Sequence, residues 1–151
     1  NGNAQLDTAQ KKFGLTSLLL DGTGDYINNV STSEIAFGSG VYTIEMYIRP
    51  ITATLTGTKT ILDTRTTANE VAARLYIENA QLRYNVNNSD LATAGLTALS
   101  ADTWYHVAVV RSSTTVKLYL NGVEVGTGTD SSTYVAKPIY IGADYQGSNG
   151  F

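Results

Sequence analysis

Hydrolysis of a glycosidic bond needs two carboxyl groups facing one sugar, about 5–9.5 Å apart. On an extended strand that means Asp or Glu at i and i+2 or i+4, where side chains share a face. The chain offers no such pair: Glu45 is followed at those positions by Tyr47 and Arg49, Glu78 by Ala80 and Glu124 by Gly126. Glu45 shares its side with Arg49, and the two are expected to form a surface charge pair worth under about 1 kcal/mol. Nucleophilic catalysis fares no better. Cysteine is absent and His106 is the single histidine, set in WYHVAVV with no Ser or Asp at a telling position. It is expected to be a structural residue on a sheet face, and the chain is expected not to be an enzyme.

Binding chemistry is richer. A hard cation such as Ca²⁺ takes six to eight oxygen ligands, and Asp21-Gly22-Thr23-Gly24-Asp25 sets two carboxylates and several carbonyls around a glycine-rich turn. The spacing is not that of an EF-hand, and Asp-Gly pairs are also ordinary turn chemistry. Sugars are held by flat aromatic faces together with fixed amides and hydroxyls. Ten Tyr stand against three Phe, and Tyr47, Tyr76 and Tyr119 fall on polar-facing strand positions, where an amphipathic ring suits a partly wet surface. Loops supply Asn87, Asn88 and Asp90 as polar partners, with Gln146 and Asn149 further on. These six residues, Tyr47, Tyr76, Tyr119, Asn87, Asn88 and Asp90, are the candidate ligand contacts; cross-strand packing is the alternative role for the tyrosines. Trp104 is expected to anchor the core. Glycan-acceptor patterns occur at Asn29-Val30-Ser31 and Asn87-Asn88-Ser89, and Thr52 to Thr58 is a Ser/Thr-type loop that could carry glycans or simply be solvated.

The elements that position these residues are strands. In WYHVAVVRSSTTVKLYLNGVEVG, residues 104–126, two apolar runs flank a Ser/Thr turn and Asn121-Gly122 follows the second. Asn-Gly between alternating apolar residues is a strong hairpin signal, because a type I′ turn needs positive φ at both central positions. Three consecutive antiparallel strands are predicted there. Tyr42, Ile44, Met46 and Ile48 share one face of a strand that Pro50 ends. Arg74 to Val86 reads as a hairpin turning at Asn79-Ala80, with Arg83 and Asn85 facing away from Leu82, Tyr84 and Val86. Shorter strands are predicted at Ser17–Leu20, Tyr26–Ile27, Lys59–Asp63 and Pro138–Ile141, whereas Leu91 to Ala101 looks loop-like. Residues 1–12 have Leu6 as their one large apolar side chain, too little for a helix, and are expected to form an extended arm. The predicted core comprises Leu18, Leu20, Ile44, Met46, Ile48, Leu75, Ile77, Leu82, Val107, Val109, Leu118, Leu120, Ile139 and Ile141.

A length of 151 residues suits one domain with a real core. Charged residues make up 15% and the formal net charge is -3, so no basic footprint for nucleic acid exists. No apolar run approaches the roughly 20 residues that span a membrane, and neither nucleic acid nor membrane insertion is expected.

Four segments resemble, in order, those of the laminin G-like, concanavalin A-like jelly-roll domains. Phe13-Gly14 followed by SLLLDGTGDY is similar to the family's opening strand and turn. YTIEMYIRP resembles its aromatic-rich strand ending in a basic residue and Pro. TWYHVAVVR with VKLYLNGVEVG resembles its central hairpin, and PIYIGADYQGSNGF the start of its closing segment. The style is most similar to members in phage virion proteins and bacterial surface proteins. The resemblance implies an all-β, antiparallel two-sheet β-sandwich of jelly-roll type over residues 1–151. It also implies that the chain ends meet, bringing Asp144, Gly147 and Asn149 near the Asp21–Asp25 turn, so that Asp21, Asp25, Asp144 and Asn149 form the candidate Ca²⁺ set. Laminarinase-like relatives carry an E-x-D-x-x-E cluster that this chain lacks.

One departure concerns the closing strand of the type G-x-[IL]-D-[DE]-[VL]-R. The sequence stops at Gly150-Phe151, so either the polypeptide is longer or a neighbouring segment supplies that strand by β-augmentation. Two functions follow as expectations. One is a non-catalytic glycan-binding or adhesion module of a virion, cell surface or secreted protein. The other is a structural capsid- or fibre-decorating module that binds neighbouring protein chains, with an open edge near residues 139–151.

Overall fold

The computed structural model describes residues 1–29, 36–51 and 56–151, and the side chains of all of these except Leu96 and Thr97. No described residue is helical. The strands are β1 (Gln5–Asp7), β2 (Ser17–Leu19), β3 (Ile27–Asn28), β4 (Tyr42–Ile48), β5 (Thr58–Asp63), β6 (Ala73–Glu78), β7 (Gln81–Val86), β8 (Ser89–Ala98), β9 (Tyr105–Ser112), β10 (Thr115–Leu120), β11 (Val123–Thr129) and β12 (Tyr140–Ile141). They form a four-stranded sheet, β11-β10-β9-β4, a six-stranded sheet, β3-β12-β5-β6-β7-β8, and the small β1-β2 pair, all antiparallel. Part of the expected N-terminal arm is thus the strand β1.

The turns follow their residues. Asn121 and Gly122 adopt φ of 50° and 80° between β10 and β11, as a type I′ turn requires. Asn79 and Ala80, at 51° and 62°, turn β6 into β7; Asn87 and Asn88, at 49° and 58°, turn β7 into β8. The two larger sheets face each other through Ile44, Ile48, Leu75, Ile77, Leu82, Val107, Val109, Val116 and Leu118, all buried, each worth about 1.5–3 kcal/mol relative to exposure.

Four expectations change. Leu91 to Ala101 is not a loop: most of it is β8, paired to β7. Its buried face is Ala92 and Ala94, too small to make an apolar stripe in the sequence, and small because β11 presses against it. A Cβ on Gly126 would lie 2.6 Å from the carbonyl oxygen of Thr93, and one on Gly128 would collide with Leu91. Second, Leu18 is 36% exposed, and Leu20, Met46, Ile139 and Ile141 are only half-buried. β2 pairs with β1 alone and lies outside both larger sheets, so the side of the sandwich it flanks is not sealed. Third, Glu45 and Arg49 are not partners. Arg49 pairs with Asp102 at 2.9 Å, and Glu45 lies 3.2 Å from His106 Nε2, because Arg49 stands beyond β4 where the chain turns away. Fourth, Trp104 is half-buried and lines a cavity of about 370 Å³ instead of anchoring the core.

That cavity lies between β2 and the end of β4, whose far edge has no strand beside it among the described residues. β12 is flanked on both sides, by β3 and β5, so no open edge lies at Tyr140–Ile141, whereas β4 ends the four-stranded sheet beside the cavity. The chain ends do meet. Phe151 N–H donates to Gly142 O at 2.8 Å, and a Cβ on Gly150 would lie 2.5 Å from Gly22 O. A polar cluster unforeseen in the sequence threads the core. The Tyr42 and Tyr84 hydroxyls are 2.6 Å apart, Tyr134 donates to Asp130 at 2.6 Å, and Arg111, 1% exposed, pairs with Asp130 at 3.3 Å. Burial raises the Tyr84 and Tyr134 hydroxyl pKa values.

Candidate functional site

Period-2 alternation divides the candidate tyrosines between two outer surfaces. On β6, Leu75 and Ile77 point into the core, so Arg74, Tyr76 and Glu78 point out; on β7, Leu82, Tyr84 and Val86 point in, so Arg83 and Asn85 point out. Tyr76 therefore lies on the outer face of the six-stranded sheet. Tyr47 and Tyr119, alternating with Ile48 and Leu120, lie on the outer face of the four-stranded sheet. No single groove can use all three.

The structure brings Tyr76 and Asp90 together. Register sets Tyr76 opposite Arg83 and Asn85 opposite Asp90. Tyr76 hydroxyl donates to Asp90 Oδ1 at 2.7 Å, Asn85 Nδ2 donates to the same oxygen at 2.9 Å, and Arg83 Nη1 donates to Oδ2 at 2.7 Å. Arg83 also meets Glu78 at 3.3 Å. Burial pushes the Asp90 carboxyl up, but the three hydrogen bonds outweigh it and leave its pKa below the ordinary value. Tyr76 is held well above the ordinary phenol by burial and by donating to Asp90. Although they face outward, Tyr76 and Asn85 are only 6% and 7% exposed, so this surface is recessed. Asn87 and Asn88 stand at its rim on the exposed β7–β8 turn, where Asn88 bonds Asn69.

Further along the same face, Arg74 stacks over the Tyr76 ring, with Cζ 4.5 Å from its centroid, and donates to Thr60 Oγ1 at 3.0 Å. Arg65 grips Asp63 with Nε and Nη2, the latter at 2.6 Å, and lies 5.1 Å over Tyr145. Arg74, Arg83, Asn85 and Arg65 were not among the candidates. The outward alternation of Arg83 and Asn85 was visible in the sequence, but it does not distinguish a ligand-facing polar residue from a solvated one.

On the opposite surface Tyr47 meets Phe13 edge to face at 5.1 Å and the tilted His106 ring at 5.0 Å, with Lys12 Nζ 5.3 Å from its ring. His106 is therefore a sheet-face residue packed on an aromatic ring. Tyr119 stands opposite Ala108 and Glu124, and no candidate amide joins either tyrosine.

The residues proposed for Ca²⁺ are engaged in hydrogen bonds to backbone and amide N–H groups. Asp25 accepts the N–H groups of Asp21 (2.9 Å) and Asn3, and Asp21 accepts that of Thr23 at 2.7 Å. Asp144 accepts from Gln146, Ser148 and the Asn149 amide at 3.1, 2.8 and 2.6 Å. Asp21 and Asp144 close their own turns, Asp25 ties its turn to the N-terminal segment at Asn3, and no group of three His, Asp or Glu suited to a metal occurs among the described residues. The Asn29-Val30-Ser31 pattern and the Thr52–Thr58 loop extend outside the described residues.

The profile of the concanavalin A-like lectin/glucanases superfamily, in its laminin G type, matches residues 21–151. No curated protein sequence matches the chain. Among solved structures it is similar to domain 4 of AbnA, a GH43 extracellular arabinanase from Geobacillus stearothermophilus solved with arabinotriose. The TM-score is 0.72 and the identity 18%, over 96% of this chain and 68% of that one. It is also similar to the receptor binding domain of botulinum neurotoxin D (TM-score 0.69, 15% identity, 93% of this chain and 38% of that one) and to domains LG4-5 of the mouse laminin alpha1 chain (TM-score 0.62, 19% identity, 83% and 34%). The chain thus spans little more than a third of the laminin and toxin chains, and the likeness to these structures is one of fold. Through residues 21–151 the chain belongs to the concanavalin A-like lectin/glucanases superfamily.

Proposed function

We propose that the chain is a non-catalytic glycan-binding module, displayed outside the cell on a surface, a secreted protein or a virion, and that the recessed face around Tyr76, Arg83, Asn85 and Asp90 holds the sugar. The observation that carries this reading is the Asp90 carboxylate, exposed at the margin of the recess and fixed there by three donors. Prearranged donors and acceptors of this kind match sugar hydroxyls without reordering on binding. The carboxylates Glu45, Glu78 and Glu124 are engaged with His106, Arg83 and Lys117, which agrees with binding without hydrolysis. The relatives add support: one was solved with arabinotriose and another is a receptor binding domain. Titration calorimetry against neutral oligosaccharides, arabinotriose included, tests the proposal. Asp90→Ala is expected to weaken binding at least about tenfold, the scale of losing a charge-assisted bond. Unchanged affinity in that variant, or no binding by the parent chain, overturns it.

A second reading, a structural module that binds neighbouring protein chains, is favoured by the cavity between β2 and the free edge of β4. An unpaired edge beside an apolar cleft suits an added strand. In the full assembly the outward amides of β4 should then exchange slowly, and in the isolated chain quickly. Equal exchange in both removes this reading.

A further inference from the structure

Three arginines and three carboxylates meet on the outer face of the six-stranded sheet, and they do not pair one to one. Register sets Asp63 directly opposite Arg74, yet Asp63 is taken by Arg65 through both oxygens and by the Tyr145 N–H at 3.3 Å. Glu78 and Asp90 both go to Arg83. Arg74 is left without a carboxylate within ion-pair distance among the described residues. It is held in place by the Tyr76 ring and the Thr60 hydroxyl, and its Nε is enclosed with no hydrogen-bond partner. Burial, first, and the neighbouring Arg65 act against its positive charge, and the more weakly felt Asp63, Tyr76 and Asp144 do not offset them. A fixed, partly desolvated guanidinium that no carboxylate touches is a preorganised anion acceptor, because its planar fork matches an oxyanion and the desolvation has already occurred.

Resting on the glycan reading, we propose that the sugar is acidic and that its anionic group, a carboxylate or a sulfate ester, docks on Arg74. The sugar hydroxyls are then within reach of the Arg83–Asp90 cluster on the adjacent strand. Asp90 orients the ring, and Arg74 selects the charge.

The test is calorimetric titration of the whole chain with three probes: trigalacturonate, its carboxyl-reduced trisaccharide, and that trisaccharide sulfated at C6. At least one charged probe is expected to bind about tenfold or more tighter than the neutral one, and that preference should shrink as salt is raised. Which charged probe binds more tightly distinguishes carboxylate from sulfate. Arg74→Gln should bring charged and neutral probes to the same affinity, and Arg74→Lys should retain part of the preference, because it keeps the charge and loses the fork. Thermal melting of each variant confirms folding; should Arg74→Gln fail to fold, the Lys variant and the salt series decide. Equal binding of all three probes by the parent chain overturns the inference and leaves the glycan reading standing. So does a preference that survives Arg74→Gln. Binding of none overturns both.

Discussion

The two edges of this sandwich are built on opposite principles. Where β8 meets β11 the sheets close backbone against backbone, with Gly126 and Gly128 lying where any Cβ would strike Thr93 or Leu91, and with Ala92 and Ala94 as the buried side chains. Where β4 faces the β1-β2 pair the strands stay apart. A cavity of about 370 Å³ separates them, and Phe13 and Leu18 remain 68% and 36% exposed. Small residues seal an edge because protein interiors pack to crystal-like density and tolerate no overlap; large residues beside an unpaired strand leave room for something else. One edge is closed by packing and the other is left open.

The largest loss of stability is expected in the buried polar cluster that joins the two sheets. Removing the Asp130 carboxylate by Asp130→Ala leaves buried Arg111 without its partner and should destabilise the fold by about 3–5 kcal/mol, seen as a lower urea midpoint. A shift under 1 kcal/mol would mean that water reaches this cluster. Gly128→Val drives a side chain into the Leu91 backbone and is expected to cost about 1–3 kcal/mol or more, because backbone cannot yield as a flexible side chain can. Unchanged stability would show that the β8–β11 edge is open. The matching change at the other edge, Leu18→Ala, should cost under about 1 kcal/mol, since the side chain is already partly in water; a larger loss would mean that this edge is packed in solution.

Smaller still is the acid response of the outer face of the six-stranded sheet. The folded pKa of Asp90 lies below the ordinary value, as does that of Glu70, where burial is outweighed by Lys137 at 2.7 Å. Such groups contribute stability that is fully present above the unfolded pKa, about 4, and is lost as pH falls through the lower folded value. Asp90→Asn should flatten the decline in melting temperature below about pH 4. A variant that declines as steeply as the parent would exclude Asp90 from that response. The smallest effect expected is that of calcium. Asp25 and Asp144 are already satisfied by N–H donors, so Ca²⁺ and a chelator should give the same melting curve. A rise of several degrees with Ca²⁺ would mean that these turns open to bind it.

The strands were legible wherever one face is buried in large side chains. Residues 42–48, 74–86 and 104–126 alternate at period 2, and Asn121-Gly122 announces its own turn, because local sterics and hydrophobic partition act on neighbours in sequence. β8 was not legible, since a strand that packs against glycine buries alanine and leaves no apolar stripe. The candidate site was legible in part. Tyr76 and Asp90 were singled out and do meet, while Tyr47 and Tyr119 alternate just as Tyr76 does yet belong to the other sheet.

Which tyrosine faces which surface, which carboxylate each arginine takes, and which edge is left without a neighbour depend on register and on the order of strands in space. Arg74 shows the physical reason. Nothing in its local sequence differs from that of a solvated arginine; no carboxylate among the described residues pairs with it, because Asp63, its cross-strand neighbour, turns to Arg65, and Glu78 and Asp90 turn to Arg83. Alternation and turn chemistry, which act over a few residues, were decided by the sequence itself. Charge pairing and edge closure, which join residues far apart in the chain, were decided only when the sheets came together.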